Sequence, residues 1–298
     1  MNDENNKKPS ETEIKCIHCK SKNYAKKGFR KTKARGKIQK YLCKDCNKFF
    51  TNDEGFYRMR HTHTTITMSI DIYLSNLSSR KMRNQLKRHM GIKVSHITIL
   101  DWVRKYALKV HNFVDKLKYK LGKEYFADET MIFRNGHKDR FWACVDWDTR
   151  MITGIHYSMD GNINEAKEFL SKSVEKGKPT SIQTDSAMFY PKAFKKLFYK
   201  NKLKGLEVEH IQNNVQRTRK HNYKIETVFM KIKDRVNDFR GLKALWSAPI
   251  MMASLTIQHN FIEEHTTTKN QPCSLAGQNL DLGDNRWLGL IKMASQSL

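Results

Sequence analysis

Between residues 123 and 241 the hydrophobic pattern changes period in a set order, and that order restricts the possible folds more than any other feature of the chain. KEYFADETMIF (123–133), RFWACVDWDTR (140–150) and MITGIHYS (151–158) read as three strands joined by short turns. NINEAKEFLSKSVEKG (162–177) reads as an amphipathic helix and PTSIQTDS (179–186) as a fourth strand. YPKAFKKLF (190–198) is a second helix, LEVEHIQ (206–212) a fifth strand, and NYKIETVFMKIKDRVNDFRG (222–241) a long helix. In that helix Ile225, Phe229, Ile232, Val236 and Phe239 form one apolar stripe, and Gly241 ends it. Three strands, a helix, then strand and helix in alternation predict an α/β (mixed) architecture, a mixed five-stranded sheet flanked by helices.

Within this pattern SIQTDSAMFY (181–190) ends a strand in an aspartate just before a helix. Asp185 has two readings: a cap for the coming helix, or a metal ligand in company with other carboxylates. The company exists. Asp128 falls in the first strand, and Glu226 in the first turn of the long helix, about 100° round from Ile225, where it flanks the sheet-facing stripe. Asp128, Asp185 and Glu226 converging at the sheet edge could hold two hard divalent cations, Mg²⁺ or Mn²⁺, through oxygen. Such a pair serves in-line phosphoryl displacement, so the metal reading of Asp185 is preferred to the cap.

Neighbouring residues are read more plainly. Glu129 follows Asp128 on a strand and is expected to point to the opposite face, away from the metals. Asp146 and Asp148 are expected to serve a turn or the strand surface, and His221 and Asn222 to cap the long helix. Arg217, Arg219, Lys220 and Lys224 make a basic cluster near Glu226, with Lys233 seven positions after it on the same helix face. Trp102, Trp142, Trp147 and Trp246 are expected in cores.

The N-terminal third differs in charge. The 298 residues carry 56 Lys and Arg against 30 Asp and Glu, net +26; residues 1–124 hold +19 of this and residues 125–298 only +7. A field of one sign concentrated in one region suits a polyanion. CIHC (16–19) and CKDC (43–46) predict a four-thiolate site, Cys16, Cys19, Cys43 and Cys46, around one structural Zn²⁺. Cys144 and Cys273 stand alone and are expected to be ordinary core or surface residues.

Residues 64–110 divide into three helices, roughly 65–76, 79–89 and 95–110, with Gly91 stopping the second and Ser95 capping the third. Ile99, Val103, Tyr106 and Val110 give the third helix one buried stripe; His96, Thr98, Asp101, Arg104 and Lys105 lie on its other faces. This is a helix-turn-helix pattern with the third helix as reader of double-stranded DNA. The opening MNDENNKKPSETE carries no apolar signal segment, and LWSAPIMMASL (245–255) is too short to span a bilayer. A cytoplasmic protein without membrane contact is expected, nucleoid-associated if the source is prokaryotic.

ADET, TDSAMFY and HNYKIETVF together resemble the three blocks of a DDE transposase, close to insertion-sequence family six. The resemblance runs from the zinc ribbon and helix-turn-helix through the core into NQPCSLAGQNLDL (270–282). The chain departs from that group in its added ribbon and in the longer basic interval QNNVQRTRKHN before the glutamate. The resemblance implies a ribonuclease-H-like core with Asp128, Asp185 and Glu226 as catalytic triad. It also implies hydrolysis at 3′ ends, then attack of the freed 3′-OH on target DNA, by a homodimer or higher assembly bridging two terminal inverted repeats. His96, Thr98, Arg104, Lys105, Arg217, Arg219, Lys220 and Lys233 are the candidate DNA contacts. The expected domains are a tail (1–12), zinc ribbon (13–52), helix-turn-helix (60–112), catalytic core (120–245) and C-terminal helical segment (246–298). The rival is a non-catalytic, transposase-derived DNA-binding regulator; a plain nuclease is a third reading.

Overall fold

A computed structural model describes residues 14–32, 35–213, 223–238 and 242–296. The chain divides into two compact units, Met1–His63 and Thr64–Leu298. The expected tail (1–12), the cluster Arg217, Arg219 and Lys220, the caps His221 and Asn222, Phe239 and Gly241 all lie outside the described residues.

In the first unit β1 (Tyr24–Thr32) pairs antiparallel with β2 (Gly36–Cys43), which pairs with β3 (Phe49–Thr51). The apolar interior is small: Tyr41 stacks on Phe50 at 5.4 Å, Tyr24 meets Tyr41 edge-on at 5.1 Å, and Cys16 and Cys43 complete it. So few buried side chains cannot offset the chain entropy of some forty ordered residues, about 1.5 kcal/mol each, and a staple is needed.

The second unit opens with α1 (His63–Leu74), α2 (Ser79–Met90) and α3 (His96–Val114). Gly91 takes the left-handed conformation (φ 63°) that ends α2, and the Ser95 hydroxyl accepts the Thr98 amide at 3.0 Å to start α3. Ile99, Val103, Tyr106 and Val110 are fully buried, as their spacing predicts. The packing crosses the expected boundaries near residues 112–120 and 245. α3 lies against α7 (Ser247–Ile257) and against α9 (Arg286–Gln296), the last helix; the short α8 is Pro272–Leu275. Gln258 donates to Asp71 at 2.8 Å, Asn285 to Thr67 at 2.8 Å, and the Trp287 indole to Gln258 at 2.8 Å, so the C-terminal segment is bonded to α1.

The sheet follows: β4 (Glu124–Arg134), β5 (His137–Asp146), β6 (Ile152–Ser158), β7 (Ser181–Thr184) and β8 (Glu209–Gln212), ordered β6-β5-β4-β7-β8. β4, β5 and β6 are antiparallel neighbours, while β7 and β8 join in parallel through α4 (Ile163–Ser173) and α5 (Phe189–Phe194). Three antiparallel strands followed by two parallel ones is the order and direction expected of a ribonuclease-H-like core. Alternation along β5 sends Trp142 and Cys144 into the core beneath α4 and α5, where Trp142 meets Phe169, Phe189 and Tyr190. Phe141 faces the other way, onto Phe229 of the long helix α6 (Tyr223–Asp238) at 6.2 Å. Ile225, Phe229, Ile232 and Val236 are all buried, so α6 covers that face as its stripe predicts. No helix among the described residues is long and apolar enough to cross a membrane.

Candidate active site

Asp128 and Asp185 meet because β4 outruns its neighbour. β7 pairs with β4 only from Glu124 to Phe126 and stops at Thr184, leaving β4 without that ladder where Asp128 and Glu129 project. Asp128 accepts the Glu129 amide at 2.8 Å, and Asp185 accepts the Ala187 amide at 3.0 Å. That bond closes a turn and does not cap α5, whose N-cap position is Met188, without a side-chain hydrogen bond.

Oxygens of Asp128, Asp185 and Glu129 all lie within 4.8 Å of one another. The expectation for Glu129 is thereby corrected. Its register opposite Trp142 does send the side chain from the α4/α5 face, but the longer side chain reaches the gap where β7 ends, so its carboxylate joins the two aspartates. Arg140 donates to one of its oxygens at 2.8 Å and the Tyr190 hydroxyl to the other at 2.9 Å. Alternation decides where a Cβ points and leaves the reach of a glutamate undetermined. Arg140 and Tyr190 were not singled out in the sequence; the available signal was Tyr190 at the end of TDSAMFY, five residues beyond Asp185.

Glu226 lies exposed on α6, outside this close set, yet near enough for its charge to act on Asp128. Burial, reinforced by the charges of Glu129, Asp185 and Glu226, pushes the Asp128 carboxyl up to about 7. Burial also raises Glu129, opposed by the Tyr190 hydrogen bond. Beside Asp185, Thr184 bonds the ring of His210 at 2.9 Å, and His210 stacks on Phe194 at 4.0 Å; burial lowers this histidine to about 4, so it is neutral. Among the described residues Arg140 supplies a guanidinium to this acidic set, through Glu129, and the neutral His210 adds no positive charge beside Asp185. Crowded, half-buried acidic oxygens of this kind suit a hard divalent cation and disfavour any soft one.

The four cysteines gather as their spacing predicts. Sγ atoms of Cys16 and Cys46 are 3.7 Å apart and those of Cys19 and Cys43 3.5 Å, within the 4.8 Å cluster. Sulfurs about 2.3 Å from one tetrahedral ion stand about 3.8 Å from each other, so the set has the right size for Zn²⁺. The residues following each pair, Lys20 and Asn47, both adopt left-handed backbone (φ 63° and 56°), closing two similar turns. Amides of Cys46 and Asp45 lower the Cys43 thiol to about 7. The Ser21 amide favours the Cys19 thiolate too, but burial and the three other thiols outweigh it and push Cys19 up to about 12.

Of the other candidates, Lys105 and Lys233 are exposed, and His96 and Thr98 are half-exposed in the first turn of α3. Arg104 is turned toward α7, with Ser247 at 3.3 Å and its guanidinium 4.9 Å from the Trp246 ring centroid. Trp246 is 63% exposed, a correction to its expected core position, since α7 begins there at the protein surface; Trp102 and Trp142 are buried. Asp146 serves the turn as expected, accepting from Thr149 and Gly122, and Cys144 and Cys273 are buried.

Residues 122–265 match the family model described as DDE domain. The transposase for insertion sequence-like element IS431mec of Staphylococcus aureus (strain N315) is 23% identical over 186 residues, covering 61% of this chain and 83% of its own length. The transposase for insertion sequence element IS257 in transposon Tn4003 of Staphylococcus aureus shares the same identity and coverage. Among solved structures, the HTLV-2 integrase catalytic core domain in complex with magnesium (dimeric form) aligns with a TM-score of 0.39 at 13% identity, over 55% of this chain and 99% of that one. Strand order, paired aspartates and the domain match define a DDE enzyme, a polynucleotidyl transferase built on a ribonuclease-H-like core. Within that class the relatives it matches are insertion-sequence transposases, and the similarity runs through the DDE domain at residues 122–265.

Proposed function

We propose that the chain binds the ends of an insertion sequence and cuts and joins DNA strands there, with Asp128, Asp185 and Glu226 holding the divalent cations, Mg²⁺ or Mn²⁺. One observation carries this: two aspartates from β4 and the end of β7 share a half-buried acidic cluster whose like-charge repulsion a divalent cation would offset. Two ions held by these carboxylates would supply activation of the attacking oxygen and charge stabilisation of the leaving one in an in-line displacement. The residues do the rest. Asp128 is fixed by the Glu129 amide and Asp185 by the Ala187 amide, so neither must reorder when substrate arrives. Glu226 comes from the first turn of α6, whose apolar stripe packs on the sheet face, and its charge acts on Asp128. No protein nucleophile is required, since water and then a 3′-OH attack.

The four-cysteine ribbon would hold one Zn²⁺ and, with α1–α3, bind the terminal repeats. α3 supplies His96, Thr98 and Lys105 toward the groove; Lys233 on α6 contacts phosphates near the acidic pocket, and Arg217, Arg219 and Lys220 complete the basic set. Arg104, held by Trp246 and Ser247, would position α3 as well as touch DNA. A homodimer or larger assembly brings two ends together. The regulator reading is disfavoured by the intact acidic pocket, for which a DNA-binding protein has no use. The deciding experiment is a joining assay on a pre-cut end with Asp185→Asn. Loss of strand transfer with end binding intact supports the proposal; transfer within a few-fold of the parent overturns it.

A further inference from the structure

We infer that Glu129 is itself a ligand of the divalent cation: the sheet alone, through Asp128, Glu129 and Asp185, carries a three-carboxylate site for a first ion, and Glu226 on α6 serves the second. This rests on the reading of Asp128 and Asp185 as metal ligands.

Geometry is the first ground. Among the described residues these three acids form the close set of carboxylates, with oxygens within 4.8 Å of one another, and Glu226 is not in it. Orientation is the second. Oε1 of Glu129 accepts from Arg140 at 2.8 Å and Oε2 from Tyr190 at 2.9 Å, and a carboxylate oxygen with one donor keeps a lone pair for a metal. Ligating carboxylates are characteristically held by such outer hydrogen bonds.

The third ground is energetic. A glutamate whose only duty was to pair Arg140 with Tyr190 would gain nothing from standing beside two aspartates, with like-charged oxygens within 4.8 Å of its own. A cation shared by all three reverses the sign of that cost. The division also follows the architecture, since three acids come from β4 and from the end of β7 beside it, and the fourth from a helix. Arg140 offsets one charge, leaving the trio net −2 when ionised, which matches one divalent ion.

The test is Mn²⁺ binding to the full-length chain, its four-cysteine site first saturated with zinc, followed by calorimetry and by the paramagnetic resonance of free Mn²⁺. Glu129→Gln should weaken the tighter Mn²⁺ by about 10–100-fold. Glu226→Gln should leave that ion within a few-fold and remove the weaker one. Asp128→Asn and Asp185→Asn should lose the tighter ion. Parental affinity in Glu129→Gln, alongside loss in both aspartate variants, overturns the inference and leaves the site reading standing. Parental affinity in the aspartate variants would instead remove the site reading itself. Should Glu129→Gln lack a cooperative unfolding transition, Glu129→Asp replaces it: the charge remains but is withdrawn by one methylene. About tenfold weaker binding supports the inference, and parental affinity overturns it.

Discussion

Two of the chain's clusters of ligand-type side chains, the four cysteines and the three carboxylates, stand in opposite settings. The four cysteine sulfurs lie within 4.8 Å of one another, beside a small aromatic cluster of Tyr24, Tyr41 and Phe50. The acidic cluster sits at the open end of a sheet whose faces are already filled by α4, α5 and α6. A closed thiolate site substitutes for a missing core; an open carboxylate site borrows rigidity from a core that stands without it. The first should therefore be coupled to folding and the second to chemistry.

The largest expected effect follows from that coupling. Apparent binding energies of structural zinc are about 10–16 kcal/mol, more than so small a unit can replace. Cys43→Ser, or a strong chelator, should release one zinc per chain. Limited proteolysis should then cut within residues 14–63 while residues 64–298 resist. A zinc-free ribbon as resistant as the parent would break the contrast.

Asp185→Asn should give the converse result: Mg²⁺-dependent cleavage lower by several orders of magnitude, with the thermal midpoint of the second unit shifted by less than its scatter between preparations. Combining it with Asp128→Asn and Glu226→Gln should add little further loss, because the three act as a unit. Gel-based cleavage together with calorimetric melting checks both halves.

The third effect concerns pH. Asp128 titrates near 7 when folded and near 4 when unfolded, so between those values the folded state binds the extra proton. Metal-free protein should accordingly lose stability as pH rises through that window, on the order of a few kcal/mol, and recover it on adding Mg²⁺. Asp128→Asn should flatten both responses. Melting curves at several pH values, with and without metal, would show it; an unchanged slope in the variant would assign the dependence elsewhere.

The smallest effect calibrates the others. Ser95 is a plain cap, its hydroxyl accepting the Thr98 amide at 3.0 Å, and Ser95→Ala should cost about 1 kcal/mol. If Asp185→Asn behaves like this substitution, with modest stability loss and near-normal turnover, Asp185 is a turn residue and the contrast between the two clusters fails.

Local chemistry was legible without coordinates. The order of strands and helices, the stripes of α3 and α6, the Gly91 stop, the Ser95 cap and the four-cysteine spacing each depend on residues a few positions apart, or on ligand types with one common use. The pairing of Asp128 with Asp185 was legible as well, because the fold order brings those strands together. Three features depended on packing between distant segments. Glu129 joins the acids only because β7 ends at Thr184, and no period in the sequence reports where a neighbouring strand stops. The helix-turn-helix is bonded to the C-terminal segment through Gln258 and Asn285, contacts spanning 187 and 218 positions. Trp246 stands exposed over Arg104 because α7 begins at the surface, although its neighbours in sequence are apolar. Residue type and spacing decide which elements form and which atoms can bind metal; where one element ends against another decides which of those atoms meet.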